Sequence, residues 1–318
     1  MYAHLRLHTE FSIVDGTCRI DEAVEAAARD GQGALAITDL NNLFAAVKFY
    51  SACRKAGIKP LIGCEVSVTL PGVNAAVETS RVLLLAANET GYHNLCKLLT
   101  VYWAVQDEKA QAVLNWSDLK NLCDGLVLLS GAQAGPLGSA LKSGQMNRAE
   151  ALALEFAKAF QGNFYIELQR CGRADDELYI SQAVELASRL QLPVVATHAV
   201  QYLSPEDFEA HEARVCIANG EILGNPKRLK RFTREQSFLT QAQMCALFED
   251  IPSAICNTVA LAQRCNLNFN LGKPQLPAFP TPVVDGQPLA VDAYFRDISF
   301  KGLEQRLISL YPDLEVRQ

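Results

Sequence analysis

Hydrophobic and polar positions alternate between two textures along the chain. At the N-terminus His4-Leu5-Arg6-Leu7-His8-Thr9 has period two, which predicts a short strand with His4, Arg6 and His8 on one face and Leu5 and Leu7 on the other. Residues 20–30 instead carry Ile20, Val24, Ala27 and Ala28 at helical spacing, and Gly31 stands where a left-handed residue would close a helix. The unit then repeats, with an apolar run Leu35-Ala36-Ile37-Thr38 ending at Asp39 and a helical pattern over 44–56 stopped by Gly57. Further strands are predicted over 61–68, 82–86, 126–130, 165–168 and 194–196, and helices over 91–105, 148–160 and 177–190. Short apolar strands separated mostly by helices predict a parallel β/α architecture, and this many in one chain favours a barrel. One join departs from the pattern: residues 69–80 contain Pro71-Gly72 and show no helical spacing.

Past Thr197 the texture changes. Helical patterns cover 205–219 and 253–265, with a basic loop between them from Asn225 to Arg234. Residues 271–288 hold five prolines and read as an extended linker. A helix is predicted over 291–310, and with little sequence after it to pack against, the chain reads as a fragment of something longer. The expected organisation is a first domain over 1–270, a Pro-rich linker over 271–288, and the start of a second domain over 289–318.

Composition narrows the class. A chain of 318 residues that is 49% hydrophobic can bury a sizeable core, and a net charge of −6 confines any contact with nucleic acid to a local patch. Ten scattered cysteines contain no C-x-x-C pair, which points to reduced, buried thiols. No apolar run approaches the length of a membrane span and no signal peptide opens the chain, so a cytoplasmic protein is expected.

The candidate chemistry clusters at strand ends. His8, Asp15, Asp39 and the residues after Thr197 fall where a barrel places its active-site loops, and Glu65 sits slightly deeper inside its strand. Carboxylates with imidazoles suit a metal ion that activates water for attack at phosphorus. Equally, a carboxylate at a strand end can be a turn or cap residue, and spacing alone leaves both readings open.

Longer stretches carry a resemblance. HLRLHTEFSIVDG, LAITDLNNLFAAVKFYSACRKAGIKPLIGCEV and LLLAANETGYHNLCKLL, followed in order by GLVLLSG, NFYIELQRCGR, LPVVATHAVQYL and EAHEARVCIANG, resemble the PHP (polymerase and histidinol phosphatase) domain that begins bacterial replicative DNA polymerase III alpha subunits. DAYFRDISFKGLEQRL resembles the helix leading into the palm of that family. The resemblance implies a distorted seven-stranded (β/α) TIM-like barrel of the PHP type, followed by the Pro-rich linker and terminal helix.

It also implies a metal site that this sequence has largely replaced. His8, Asp15 and Glu65 keep ligand-type residues, with Asp39 as an accessory position. Arg6, Leu40, Arg81, Ala132, Ala199 and Gln201 stand where metal-binding members carry ligands. Arg6 and Arg81 are expected to pair with Asp15 and Glu65, filling the site with ion pairs in place of metal. His198 stands at an asparagine position of the family. It is expected to be a buried, hydrogen-bonded histidine, although a weak site of His8, Asp15, Glu65 and His198 is the alternative. His211 reads as structural and His93 as exposed on its helix.

The function implied is the N-terminal PHP segment of a DNA-directed DNA polymerase, inactive by itself. It would act as a scaffold and docking platform for the proofreading exonuclease (epsilon) subunit. Partners would include the remainder of the polymerase and the replisome, with template-primer DNA bound through the full-length chain and no membrane. No cofactor is expected in this segment, and Mg2+ is expected for the palm. Lys227, Arg228, Lys230, Arg231 and Arg234 could meet DNA phosphates or form a solvated loop offset by nearby acids. Rival readings are a residual metal-dependent phosphoesterase, active in proofreading or pyrophosphate hydrolysis, and a free-standing PHP protein.

Overall fold

One curled sheet organises the first unit of the chain, Met1–Phe269. In a computed structural model, which describes residues 1–70, 80–104, 113–274, 277–313 and 315, its strands are β1 (Ala34–Ile37), β2 (Lys59–Thr69), β3 (Ser80–Ala86), β4 (Leu114–Asn115), β5 (Leu126–Leu129), β6 (Phe164–Gln169) and β7 (Val194–Thr197). Their order is β1-β2-β3-β5-β6-β7, with β4 paired to the end of β2. Helices α1 (Ile20–Arg29), α2 (Ala46–Ala56), α3 (Glu89–Trp103), α4 (Trp116–Asn121), α5 (Pro136–Lys142), α6 (Met146–Ala159), α7 (Asp176–Leu190), α8 (Phe208–Asn219), α9 (Gln241–Leu247) and α10 (Pro252–Arg264) complete this unit, Met1–Phe269. This is the α/β, barrel-like fold that the alternating pattern predicts. The short elements β4, α4, α5 and α9 escape that pattern because none spans enough residues to display a period.

The sheet is not wholly parallel, which corrects the sequence expectation. β3 runs antiparallel to both of its neighbours, β2 and β5, while β1 with β2, β5 with β6, and β6 with β7 are parallel pairs. The reason lies in the join without helical spacing: a parallel return needs a crossover of a dozen or more residues, and β2 and β3 are too close in sequence for one. Residues 71–79 of that join, and Val105 at the end of the expected third helix, lie outside the described residues.

The opening segment also differs from expectation. It forms isolated bridges, His4 with Leu35 and Leu7 with Val200, so it joins β1 to the chain just after β7. Having neighbours on both sides, Tyr2 to Thr9 is buried throughout.

Strand alternation separates two of the three clusters that make up the core. Val82 and Leu84 of β3, Leu126 and Leu128 of β5, and Ile166 and Leu168 of β6 pack outward with residues of the helices, among them Leu98, Phe156 and Tyr179. Leu83, Leu85, Val127, Leu129 and Tyr165 form a separate cluster with Leu5, Ala36 and Leu61 on the inner side. Being covered on both faces, these strands read as continuous apolar runs. The inner face is where a charge stands out.

The second unit, Asn270–Gln318, contains a hairpin of β8 (Val283–Val284) and β9 (Gln287–Pro288), and helix α11 (Val291–Leu310). The hairpin lies within the Pro-rich stretch, residues 271–288, expected to be an extended linker. Asp285 and Gly286 take φ of 52° and 80°, and positive φ at both central positions suits a two-residue hairpin turn. Among the described residues no helix is long and apolar enough to cross a membrane. All ten cysteines are free, and of these only Cys256 is exposed.

Candidate functional site

Glu65 and Glu167 are placed by the same rule. Cys64 and Val66 on β2, like Ile166 and Leu168 on β6, belong to the outer core cluster, so the carboxylates between them turn to the inner face. Register aligns them across the sheet: Glu65 pairs with Leu83, Leu83 with Leu129, and Leu129 with Tyr165, two residues before Glu167. The opening segment delivers Arg6 and His8 to the same face. Arg6 Nη2 donates to Glu65 Oε1, and its Nη1 donates to Glu167 Oε1 at 3.1 Å and Oε2 at 3.3 Å. Of the two partners expected for Arg6, the structure gives it Glu65 and not Asp15. Glu167 is an addition that the sequence reading missed, although its signal was the same as Glu65's, a carboxylate within an apolar strand.

Asp15 is taken by other groups. Its Oδ1 lies 2.9 Å from His8 Nδ1 and accepts from Ser12 Oγ at 2.8 Å, while Oδ2 accepts from Arg81 Nη1 at 3.1 Å. Arg81 can reach Asp15 because β3 is antiparallel: its N-terminal residues sit at the end of the sheet toward which parallel β2 runs, opposite Ser67. With its side chain 35% exposed, Arg81 closes the group toward solvent, and it approaches Glu65 Oε2 at 3.8 Å. His8 Nε2 stands 2.8 Å from the same Oε2, within ion-pair distance but outside hydrogen-bond alignment.

Three basic groups, Arg6, Arg81 and His8, therefore face three carboxylates, Asp15, Glu65 and Glu167. Burial opposes charge on His8, but Asp15 and Glu65 outweigh it and hold the imidazolium up to about 9. Burial likewise opposes ionisation of Glu65, yet Arg6, His8 and Arg81 pull it down to about 2, and Asp15 is held well below the usual carboxylate range by His8 and Arg81. Glu167 gains further donors from Gly131 N at 3.0 Å, Gln169 Nε2 at 3.0 Å and Thr197 Oγ1 at 2.5 Å. Two glycines are required by this arrangement. Gly131 has φ of 82°, and a Cβ there would lie 1.8 Å from Arg81 O; a Cβ on Gly16 would lie 2.1 Å from Thr9 O.

The remaining predicted positions surround the cluster without joining it. Asp39 turns its carboxylate to Thr9, accepting from its N at 2.6 Å and Oγ1 at 2.8 Å; burial raises it to about 6 against those bonds. His198 Nε2 is 2.7 Å from Glu235 O and Nδ1 is 4.0 Å from Cys171 Sγ, so it hydrogen-bonds in a buried setting to groups outside the cluster. His4 sends Nε2 to Leu239 O at 2.8 Å, and His211 sends Nε2 to Asp15 O at 2.8 Å. Leu40 bridges backbone to backbone with Glu65, and its N donates to Ser12 Oγ at 3.0 Å. Ala132 and Ala199 are buried, and so is Gln201, whose Oε1 has no hydrogen-bond partner among the described residues. In the basic loop Arg228 pairs with Glu212, Arg231 lies 3.8 Å from Glu221, and Arg234 stacks over Phe208. Lys227 and Lys230 have no carboxylate partner among the described residues.

Each oxygen of Asp15 and Glu65, and each nitrogen of His8, already faces a group of the cluster, so a metal would have to displace guanidinium groups and meet their charge. Among the described residues no three His, Cys, Asp or Glu side chains are disposed to hold one.

A curled α/β sheet whose first strand-like segment feeds a polar cluster at the strand ends defines the class. The chain belongs to the PHP domain family, whose pattern matches residues 4–171. Over nearly its whole length it is similar to proteins named DNA polymerase III subunit alpha. That of Neisseria meningitidis serogroup A is 46% identical over 98% of this chain and 27% of the relative, and that of Pseudomonas aeruginosa 42% identical over 98% and 26%. That of Escherichia coli strain K12 is 39% identical over 99% and 27%. The chain thus spans about a quarter of the length of these relatives. Among solved structures, an amidohydrolase from Chromobacterium violaceum aligns with 67% of this chain and 97% of its own, at 15% identity and a TM-score of 0.43.

Proposed function

We propose that this chain is the N-terminal PHP segment of a replicative DNA polymerase alpha subunit, and that its ion-pair cluster replaces a metal centre and makes the barrel a scaffold. The observation that carries the reading is the balance of the cluster: Arg6, Arg81 and His8 occupy the oxygens of Asp15, Glu65 and Glu167. A metal-dependent phosphoesterase needs open coordination positions and a metal-bound water, and a guanidinium supplies neither. Similarity to alpha subunits along nearly the whole chain supports the replicative setting.

In this reading the parent polypeptide is a DNA-directed DNA polymerase whose nucleotide-transfer chemistry, with Mg2+, lies outside residues 1–318. It works in the cytoplasm, within the replisome, on template-primer DNA. The barrel docks the proofreading exonuclease subunit. Two measurements test the proposal. Metal analysis and a phosphoesterase assay in manganese or zinc should give neither stoichiometric metal nor turnover, and metal-dependent turnover abolished by His8→Ala would overturn the scaffold role. Titration with the exonuclease subunit should saturate, and no association at high micromolar concentration would remove the docking role.

A further inference from the structure

The chain from the end of α8 to Arg231 is held tightly yet leaves its aliphatic side chains in solvent. Ile217 is 82% exposed, Ile222 75%, Leu229 68% and Leu223 41%. Scattered single apolar residues on a surface need no explanation, but four within one short stretch do. The stretch is compacted by successive turns. Gly220 closes α8 in the left-handed region, Glu221 N donates to Cys216 O at 2.8 Å, Asn225 N to Ile222 O at 3.0 Å, and Arg228 N to Asn225 O at 3.1 Å. Its far end is fixed by the ion pair of Arg228 with Glu212, in which both side chains are about 95% shielded from solvent. A loop anchored this firmly presents its outer side chains in a defined arrangement.

Charge selects the partner. Of the five basic residues, Arg228 is shielded in its pair with Glu212, Arg234 lies over the Phe208 ring, and the half-exposed Arg231 is 3.8 Å from Glu221. Lys227 and Lys230, which bracket Leu229 with Arg228, have no carboxylate partner among the described residues. A nucleic-acid backbone would meet the exposed cations but leave the aliphatic groups uncovered, whereas a peptide with aliphatic and acidic side chains answers both features. We propose that residues 217–230 form a docking surface for a peptide segment, belonging to another protein, that carries aliphatic side chains flanked by carboxylates. This surface is separate from the ion-pair cluster and does not depend on that cluster's role.

The probe is a fluorescein-labelled synthetic peptide of leucine and glutamate, followed by anisotropy against the purified chain, with a leucine–lysine peptide and oligothymidylate as comparisons. The leucine–glutamate peptide should saturate. Ile222→Ser with Leu229→Ser, and separately Lys227→Glu with Lys230→Glu, should each weaken binding about tenfold. Since these side chains are exposed, both double variants should unfold at the parent temperature, which separates lost contact from lost fold. Absence of saturation, equal binding by the variants, or tighter binding of oligothymidylate at the same salt concentration would each overturn the proposal.

Discussion

Replacing Arg6 with Met should be the most damaging single change in the cluster. Arg6 serves Glu65 and Glu167, whose side chains are 1% and 0% exposed, so the substitution leaves three carboxylates facing Arg81 and His8. Breaking a buried ion pair from one side costs about 3–5 kcal/mol, since the abandoned charge is neither solvated nor paired. The neutral donors Gly131 N, Gln169 and Thr197 keep Glu167 hydrogen-bonded, which argues for the lower half of that range, about 3–4 kcal/mol. For a unit of this size that corresponds to a midpoint lowered by roughly 6–16 °C. The decisive comparison is Arg6→Met with Glu167→Gln, which restores a balance of two basic groups against two carboxylates. Urea unfolding at pH 7 should find the double variant more stable than Arg6→Met alone, and the Arg6→Met deficit should shrink at pH 5 as a stranded carboxyl takes up a proton. A deficit under 1 kcal/mol for Arg6→Met, or additive losses in the double variant, would show that charge balance does not hold this cluster together.

Other consequences follow from the same geometry. His8 is raised from 6.5 to about 9 on folding, so its stabilisation is complete below pH 6.5 and lost as pH rises through 9; the total is about 3 kcal/mol, and His8→Gln should flatten urea-derived stability over that window. Glu65 is lowered to about 2, so its contribution is present above pH 4.5 and disappears as pH falls toward 2, which acid unfolding of Glu65→Gln should register as a weaker pH slope. Asp39 behaves oppositely: raised to about 6, it costs stability above that pH, and Asp39→Asn, which keeps an acceptor for Thr9 N, should gain up to about 3 kcal/mol at pH 8 in chemical unfolding. Gly131→Ala should destabilise by more than about 1 kcal/mol in the same assay, because its positive φ and the contact with Arg81 O leave no room for a methyl group.

The kinds and order of the main elements are legible in local patterning along the chain. Period-two and helical spacings are local properties, and they locate β1 to β3, β5 to β7 and the longer helices to within a few residues. Local spacing also marked Glu65 as a charge inside an apolar run, and the same signal in FYIELQ was available for Glu167. The family resemblance led to the expectation that Arg6 and Arg81 share one site, and both join the same ion-pair cluster.

Which charge meets which is set by strand pairing in the folded chain. Arg6 finds Glu167, 161 residues away, because β2 and β6 turn both carboxylates to one inner face, and that choice of face depends on register across β3 and β5. Arg81 meets Asp15 because β3 is reversed, a matter of strand pairing that no local pattern records. His198 was a candidate partner for His8, Asp15 and Glu65, yet it hydrogen-bonds to the backbone carbonyl of Glu235. Spacing fixes what a residue's neighbours are along one strand; partnership across the barrel is fixed by pairing and closure, which bring together segments that share no local signal.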